Sequence, residues 1–153
     1  MTENPLVPYL SPAPGQFESM PDGECVKRLR SNDIGRIALV DREVKPLIFP
    51  VNYFFDEGVV VFRTGKGSKL DLAPGAHVCF EIDGWEHDIG LGWSVLVRGI
   101  AHDITQPRGM PTGRMHFWPV QPLAPGSREH WIGIWANEIT GRWFRPVKMR
   151  PPT

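Results

Sequence analysis

Two cysteines, two tyrosines and a zero net charge set the first limits on this 153-residue chain. Seventeen Lys and Arg balance seventeen Asp and Glu, so the excess of positive charge carried by a nucleic-acid or acidic-membrane binder is missing. Cys25 and Cys79 stand far apart at no metal or redox spacing. Buried, inert thiols in a reducing compartment are the expectation, with no disulfide. His77, His87, His102, His116 and His130 show no helical ligand spacing and have no neighbouring cysteine. A structural zinc site is therefore not expected, although a single histidine ligand to haem stays open. No apolar run approaches the roughly 18–20 residues of a membrane span, and no signal-peptide pattern opens the chain. A soluble, cytoplasmic protein is expected. No G-x-x-x-x-G-K-[ST] loop can be matched, and strands do not alternate with helices, which argues against a doubly wound nucleotide fold. No internal repeat is visible.

What is present reads as one domain of short strands. Residues 1–20 hold prolines at 5, 8, 12 and 14 without periodicity and read as an arm. Asp22 onward predicts a helix with Cys25, Val26 and Leu29 on its apolar face, Asp22 as N-cap, and Asn32 or Gly35 as its end. Ile34–Val40 predicts a strand followed by a turn at Asp41–Glu43. Pro46–Phe55 and Gly58–Thr64 predict a hairpin around Asp56–Glu57–Gly58. A short helix near Lys69–Asp71 precedes the Pro74–Gly75 break. His77–Asp83 alternates as a half-buried strand, and Gly84–Gly90 reads as a charged turn. Trp93–His102 is a long strand bent at Gly99, where a bulge would help a barrel to curve. The proline- and glycine-rich stretch 107–126 reads as irregular, with one helical turn near Arg114–Phe117. Trp131–Trp135 and Ile139–Phe144 close the domain (residues 21–146), leaving 147–153 as a tail. The expected fold is mainly β: a six- to seven-stranded split β-barrel with one N-terminal helix and short connecting helices.

The segment Phe49–Leu70, FPVNYFFDEGVVVFRTGKGSKL, carries the chemistry. A strand delivers a glycine-and-lysine loop that opens a brief helix, an arrangement able to offer N–H groups and positive charge to a phosphate. Arg63, Lys66 and Lys69 add cations to it, and Thr64 and Ser68 add hydroxyls. Asn52 and Tyr53 end the preceding PVNY run. Read alone, they serve equally well as core and backbone partners or as neighbours of a bound ring. Trp93 reads first as a barrel or dimer-core residue. Glu129–His130 is a minor candidate for supplying a proton.

Six segments in series, GRIALV, PVNY, FRTGKGSKL, FEID, GWSVLVRG and ITGRW, resemble the pyridoxamine 5'-phosphate oxidase-like, FMN-binding split-barrel family. Within it, PVNY and FRT..G.K are most similar to the small nitroimidazole-resistance-type flavoproteins. The resemblance covers roughly Gly23–Arg145. It implies a homodimer with FMN in grooves shared between two protomers. Phosphate contacts would fall on Arg63, Thr64, Ser68 and Lys69, with Lys66 a further cofactor-binding cation of the loop, and the ring along Pro50, Val51, Asn52 and Tyr53. The partner protomer would add Trp93, Ser94, Arg142 and Trp143. The oxidase's basic phosphate-binding strand is matched here only by Arg36 of GRIALV, and its C-terminal substrate arginine and histidine are not recognisable. Vitamin B6 oxidation is accordingly not expected. The implied function is reduction of a small organic acceptor (nitro compound, quinone or enone), with a nicotinamide as one candidate donor. A flavin carries the redox chemistry itself, so no catalytic residue of the protein is required. An F420-dependent reductase of the same fold is the first alternative, since a longer acidic tail would suit Lys66. A non-catalytic flavin, haem or bilin carrier is the second.

Overall fold

A computed structural model of the chain describes residues 12–105 and 130–147. Its elements in order are β1 (Phe17–Met20), α1 (Asp22–Ser31), β2 (Ile34–Val40), β3 (Pro46–Asp56), β4 (Val59–Thr64), α2 (Ser68–Leu72), β5 (His77–Glu86), β6 (Leu91–Asp103) and β7 (His130–Phe144). The sheet order is β1-β7-β4-β3-β2-β5-β6, and β6 pairs back onto β7. Six strands thus close into a barrel, and β1 is an extra strand outside the ring. Closure pairs most of the strand edges that an isolated sheet would expose. The expected mainly β barrel is what forms.

Alternation decides which side chains fill the interior. Ile37, Val51, Phe62, Phe80, Val97 and Ile134 point inward and are buried, as the period of two requires when one sheet face lines a core. Each such side chain contributes roughly 1.5–3 kcal/mol of hydrophobic stabilisation. α1 adds buried Cys25 and Leu29, and α2 packs Leu70 and Leu72 against the same cluster. Burial, and then nearby Asp22, pushes the Cys25 thiol up from its ordinary value, which disfavours the thiolate form. Cys79 is half-buried, and both cysteines are free.

β7 organises the closure. Its first half, from His130 to Trp135, ladders to β4. Its far end, from Gly141 to Phe144, takes β1 instead. Along its other edge it follows β6 nearly throughout, with one register shift. Arg98 faces Glu138 and Gly99 faces Ala136, so Asn137 is the extra residue of a bulge. Gly99 is required there, because a Cβ would lie 2.1 Å from the Trp135 carbonyl oxygen.

Several local expectations are corrected. Asp22 does not cap α1. It is the first helical residue, and the Pro21 carbonyl accepts from Glu24 and Cys25 N–H. Asn32 does end the helix, whereas Gly35 lies inside β2. The turn expected at 84–90 begins later, because β5 continues to Glu86 in register with Leu91 of β6. The two closing strands are one continuous strand, since the bulge at Asn137 absorbs the break in pattern. Part of the segment read as an arm, Phe17–Met20, is laddered to β7. The arm before residue 12, the irregular stretch with its turn at Arg114–Phe117, Glu129, and the tail beyond 147 lie outside the described residues. Among the described residues no helix is long and apolar enough to cross a membrane.

Candidate functional site

The β3–β4 hairpin turns tightly at Glu57 and Gly58, both at positive φ (47° and 80°), as a two-residue hairpin turn demands. Its ladder is short. β3 pairs with β4 only from Tyr53↔Phe62 to Asp56↔Val59, whereas β2 accompanies β3 from Pro46 to Asn52. Among the described residues the Pro46–Val51 stretch is therefore laddered on one side only, by β2. On its other side the barrel wall opens towards the end of β4 and the loop that follows. This split leaves a strand edge beside a group of cations.

That loop leads from Thr64 through Lys66 to Gly67, at φ 134°, where no described residue lies within 4 Å of a would-be Cβ. A ligand can approach the backbone there without steric opposition. Lys66 and Ser68 are exposed, and Lys69 is half-buried with its Nζ 4.5 Å from the Phe49 ring centroid. Arg63 lies with its guanidinium carbon 5.2 Å from the centroid of Trp131. Thr64 is buried, and its hydroxyl donates to the Gly65 carbonyl at 3.1 Å, so it shapes the loop from within. α2 has only five residues. A helix so short supplies little macrodipole, and charge at this site comes from side chains.

On β3, Pro50 and half-buried Asn52 lie on the outer face, opposite Arg36 and Ile34 of β2. Val51 and Tyr53 point inward. Tyr53 donates to the Leu29 carbonyl at 2.8 Å, and its N–H donates to the Asp33 carbonyl at 2.9 Å. Its phenol is held far above its ordinary pKa, first by burial and then by Asp33. Any contact of Val51 or Tyr53 with an outer ligand is consequently through backbone. Arg36 reaches Glu81 at 3.1 Å and Asp83 at 2.9 Å across β5, so its charge is engaged within the sheet.

The remaining expected residues form a second group. Trp93 and Trp143 are registered neighbours on β6 and β7, each 5% exposed, and face the interior. Ser94 and Arg142, the sequence neighbours of Trp93 and Trp143 respectively, are registered with each other and face outward. Arg63 pairs with Trp131 near the start of β7, whereas Arg142 stands at its far end. One chain does not bring Arg63 and Arg142 together.

Sequence reasoning missed Arg28. It lies on the charged face of α1 and reads as a solvated cation, yet its guanidinium carbon is 4.4 Å from the Trp93 ring and 4.8 Å from that of Trp143. Nε donates to Glu24 at 3.1 Å and Nη1 to Glu86 at 2.7 Å. Only the i, i+4 spacing from Glu24 was a visible signal. Among the described residues no cluster of His, Cys, Asp and Glu could hold a metal ion.

Comparison with known proteins identifies the family. A family model described as pyridoxamine 5'-phosphate oxidase matches residues 21–143. The chain belongs to the pyridoxamine 5'-phosphate oxidase-like family. An uncharacterised protein of Mycobacterium tuberculosis is 33% identical over 90 residues, 55% of this chain; the matched stretch covers 59% of that relative. Among solved structures, a Corynebacterium glutamicum protein provisionally assigned to pyridoxamine 5'-phosphate oxidase is 31% identical, with TM-score 0.71, over 85% of this chain and 99% of that one. An FAD-binding protein of Mycobacterium smegmatis is 30% identical, with TM-score 0.62, over 85% and 100%. A Bacteroides thetaiotaomicron protein provisionally assigned to 5-nitroimidazole resistance shares the fold at 15% identity, with TM-score 0.62, over 84% and 87%.

Proposed function

We propose that this protein is a flavin-dependent oxidoreductase of the family, acting as a homodimer on a small organic acceptor. The observation that carries the reading is the one-sided Pro46–Val51 edge of β3 set beside Arg63, Lys66, Ser68 and Lys69. The edge suits the hydrogen-bonding rim of a flat heterocycle, and the cations and hydroxyl suit its phosphate. The donor set fits a flavin, with Lys66, Ser68 and Lys69 holding the phosphate, Arg63 contributing positive charge, and Pro50–Tyr53 bordering the ring. When bound, that ring supplies electron transfer to nitro, quinone or enone substrates. The chain's own work is to orient the ring, hold the phosphate and limit water access.

The separation of Ser94 and Arg142 from the loop supports a shared site, since only a second copy would place them against it. The outer face of β2, β3 and β5 also suits a second copy. Val40 and Ile48 are 51% and 65% exposed, beside a ≈ 500 Å³ cleft lined by Ala38, Pro46, Cys79 and Ile100. An exposed apolar surface of this kind favours a partner over water.

FMN is the proposed cofactor. F420 is the second reading, favoured by the exposed Lys66 on the loop. The deciding experiment is a visible absorption spectrum of the purified protein, followed by titration with FMN and with F420. Near-stoichiometric yellow protein, with FMN affinity falling at least tenfold in Lys69→Ala, is the expected result. Tight F420 binding alone would keep the site and change the cofactor. A colourless chain that ignores both would remove the function.

A further inference from the structure

Arg28 connects both groups of residues that the flavin reading uses. Its guanidinium sits between Trp93 and Trp143 and is tied to Glu24 and Glu86 (4.4, 4.8, 3.1 and 2.7 Å). Cation–π contacts strengthen where water is excluded, and this side chain is only 18% exposed. The two carboxylates approach from different directions, one from α1 itself and one from the end of β5. Gly84 makes room for the arrangement, because a Cβ there would lie 2.4 Å from the Trp93 ring.

From this clamp two chains of contact run outward. The first passes through Trp93 and Trp143 to their sequence neighbours Ser94 and Arg142, which alternate to the outer face of β6 and β7. The second passes along α1. The next residue, Leu29, gives its carbonyl to the Tyr53 hydroxyl, and Asp33, just past the helix, gives its own to the Tyr53 N–H. Tyr53 is the point at which β3 leaves β2 and takes up β4. It therefore fixes where the one-sided edge begins.

We propose that Arg28 is a positioning residue for the cofactor site, holding the β3 edge in its own protomer and the Ser94–Arg142 pair that faces the partner's cofactor. This proposal rests on the flavin reading above. Lysine would keep a charge over the indoles, but a single ammonium lacks the planar fork that meets two rings and two carboxylates together.

The test uses chemical rescue. Arg28→Ala leaves a cage of two indoles and two carboxylates, matched in shape and charge to methylguanidinium. Indole emission and the thermal midpoint report the clamp without flavin, and FMN titration reports the site. The expected result is a folded Arg28→Ala protein with FMN affinity at least tenfold weaker, restored towards wild type by millimolar methylguanidinium but not by equal methylammonium. Arg28→Lys should stay impaired. Should Arg28→Ala fail to fold, Glu86→Gln keeps the arginine in place and removes one anchor; a threefold or greater loss of FMN affinity is then expected. A folded Arg28→Ala or Glu86→Gln protein that binds FMN as wild type does would overturn the proposal. So would affinity lost without rescue while indole emission is rescued, since the clamp would then be structural alone. A wild-type chain that binds no flavin would instead remove the reading beneath it, and the emission rescue would still show the cage.

Discussion

Tyr53 donates its phenolic hydrogen to the Leu29 carbonyl at 2.8 Å, joining the middle of β3 to the last turns of α1 inside the core. A buried hydrogen bond of this type contributes about 1 kcal/mol net, so Tyr53→Phe should lower stability by roughly that amount. The pH dependence is more diagnostic. Burial raises the folded-state pKa above the unfolded value of about 10. The unfolded chain releases this proton above about pH 10 while the fold retains it, so the contribution is complete below pH 10 and lost as pH rises. The slope is about 1.4 kcal/mol per pH unit from this group. Urea midpoints of wild type minus Tyr53→Phe, between pH 9 and pH 11, should show it. Parallel curves would mean that the phenol ionises freely in the fold.

Gly35 provides a steric test of the barrel. A Cβ at this position would lie 2.1 Å from Phe80 Cζ and 2.9 Å from the Glu81 carbonyl oxygen. The ring could yield only by leaving its 4.7 Å contact with Tyr53. Gly35→Ala should cost about 1–3 kcal/mol by overpacking, which lowers the thermal midpoint by roughly 2–12 °C for a domain of this size. An unchanged midpoint would place Phe80 elsewhere.

What could be read beforehand followed from local chemistry. The hairpin at Glu57–Gly58 announces itself through residues suited to unusual backbone, and the β6–β7 irregularity through Gly99, the only residue type that fits against the Trp135 carbonyl opposite the bulge. The cations and hydroxyls from Arg63 to Lys69 are equally visible. What stayed hidden depends on pairing. Trp85 and Glu86 look like part of a charged turn, and only β6 makes them strand. Phe17–Met20 follows a proline-rich stretch and becomes strand where β4 leaves β7 open. The directions of Tyr53, Trp93 and Trp143 were beyond sequence, because shifting a strand register by one residue exchanges its faces. Arg28 was hidden for a related reason: its indole partners lie more than sixty residues away in sequence.

Glu81 offers a second titration with the same sign at lower pH. Burial, and then Asp83, raises its pKa, and Arg36 opposes them. A carboxyl raised in the fold contributes stability below its unfolded pKa, and that contribution is lost as pH rises through the folded value. Wild type should therefore lose stability relative to Glu81→Gln as pH climbs from about 4 to 6. Because the side chain is partly exposed, the difference should be modest. Chemical denaturation of both proteins at the two pH values measures it. A wild type that gains on the variant over this range would mean that Arg36 dominates and Glu81 titrates low.

Ile48 tests the dimer and the shared site together. It lies in β3 opposite Ala38, 65% exposed, on the face proposed to meet a second copy. Glutamate there leaves the barrel interior untouched, because Ile48 points outward, so the monomer's thermal midpoint should move little. A carboxylate buried without a counter-ion in that proposed interface should abolish association. Light scattering after size exclusion should then report a monomer near 17.3 kDa, with FMN affinity at least tenfold weaker, since Ser94 and Arg142 would no longer arrive from the partner. A dimer that persists in Ile48→Glu would place the interface on another face. A monomer with undiminished FMN affinity would leave the phosphate loop and the β3 edge as a complete site, and remove the partner from the chemistry.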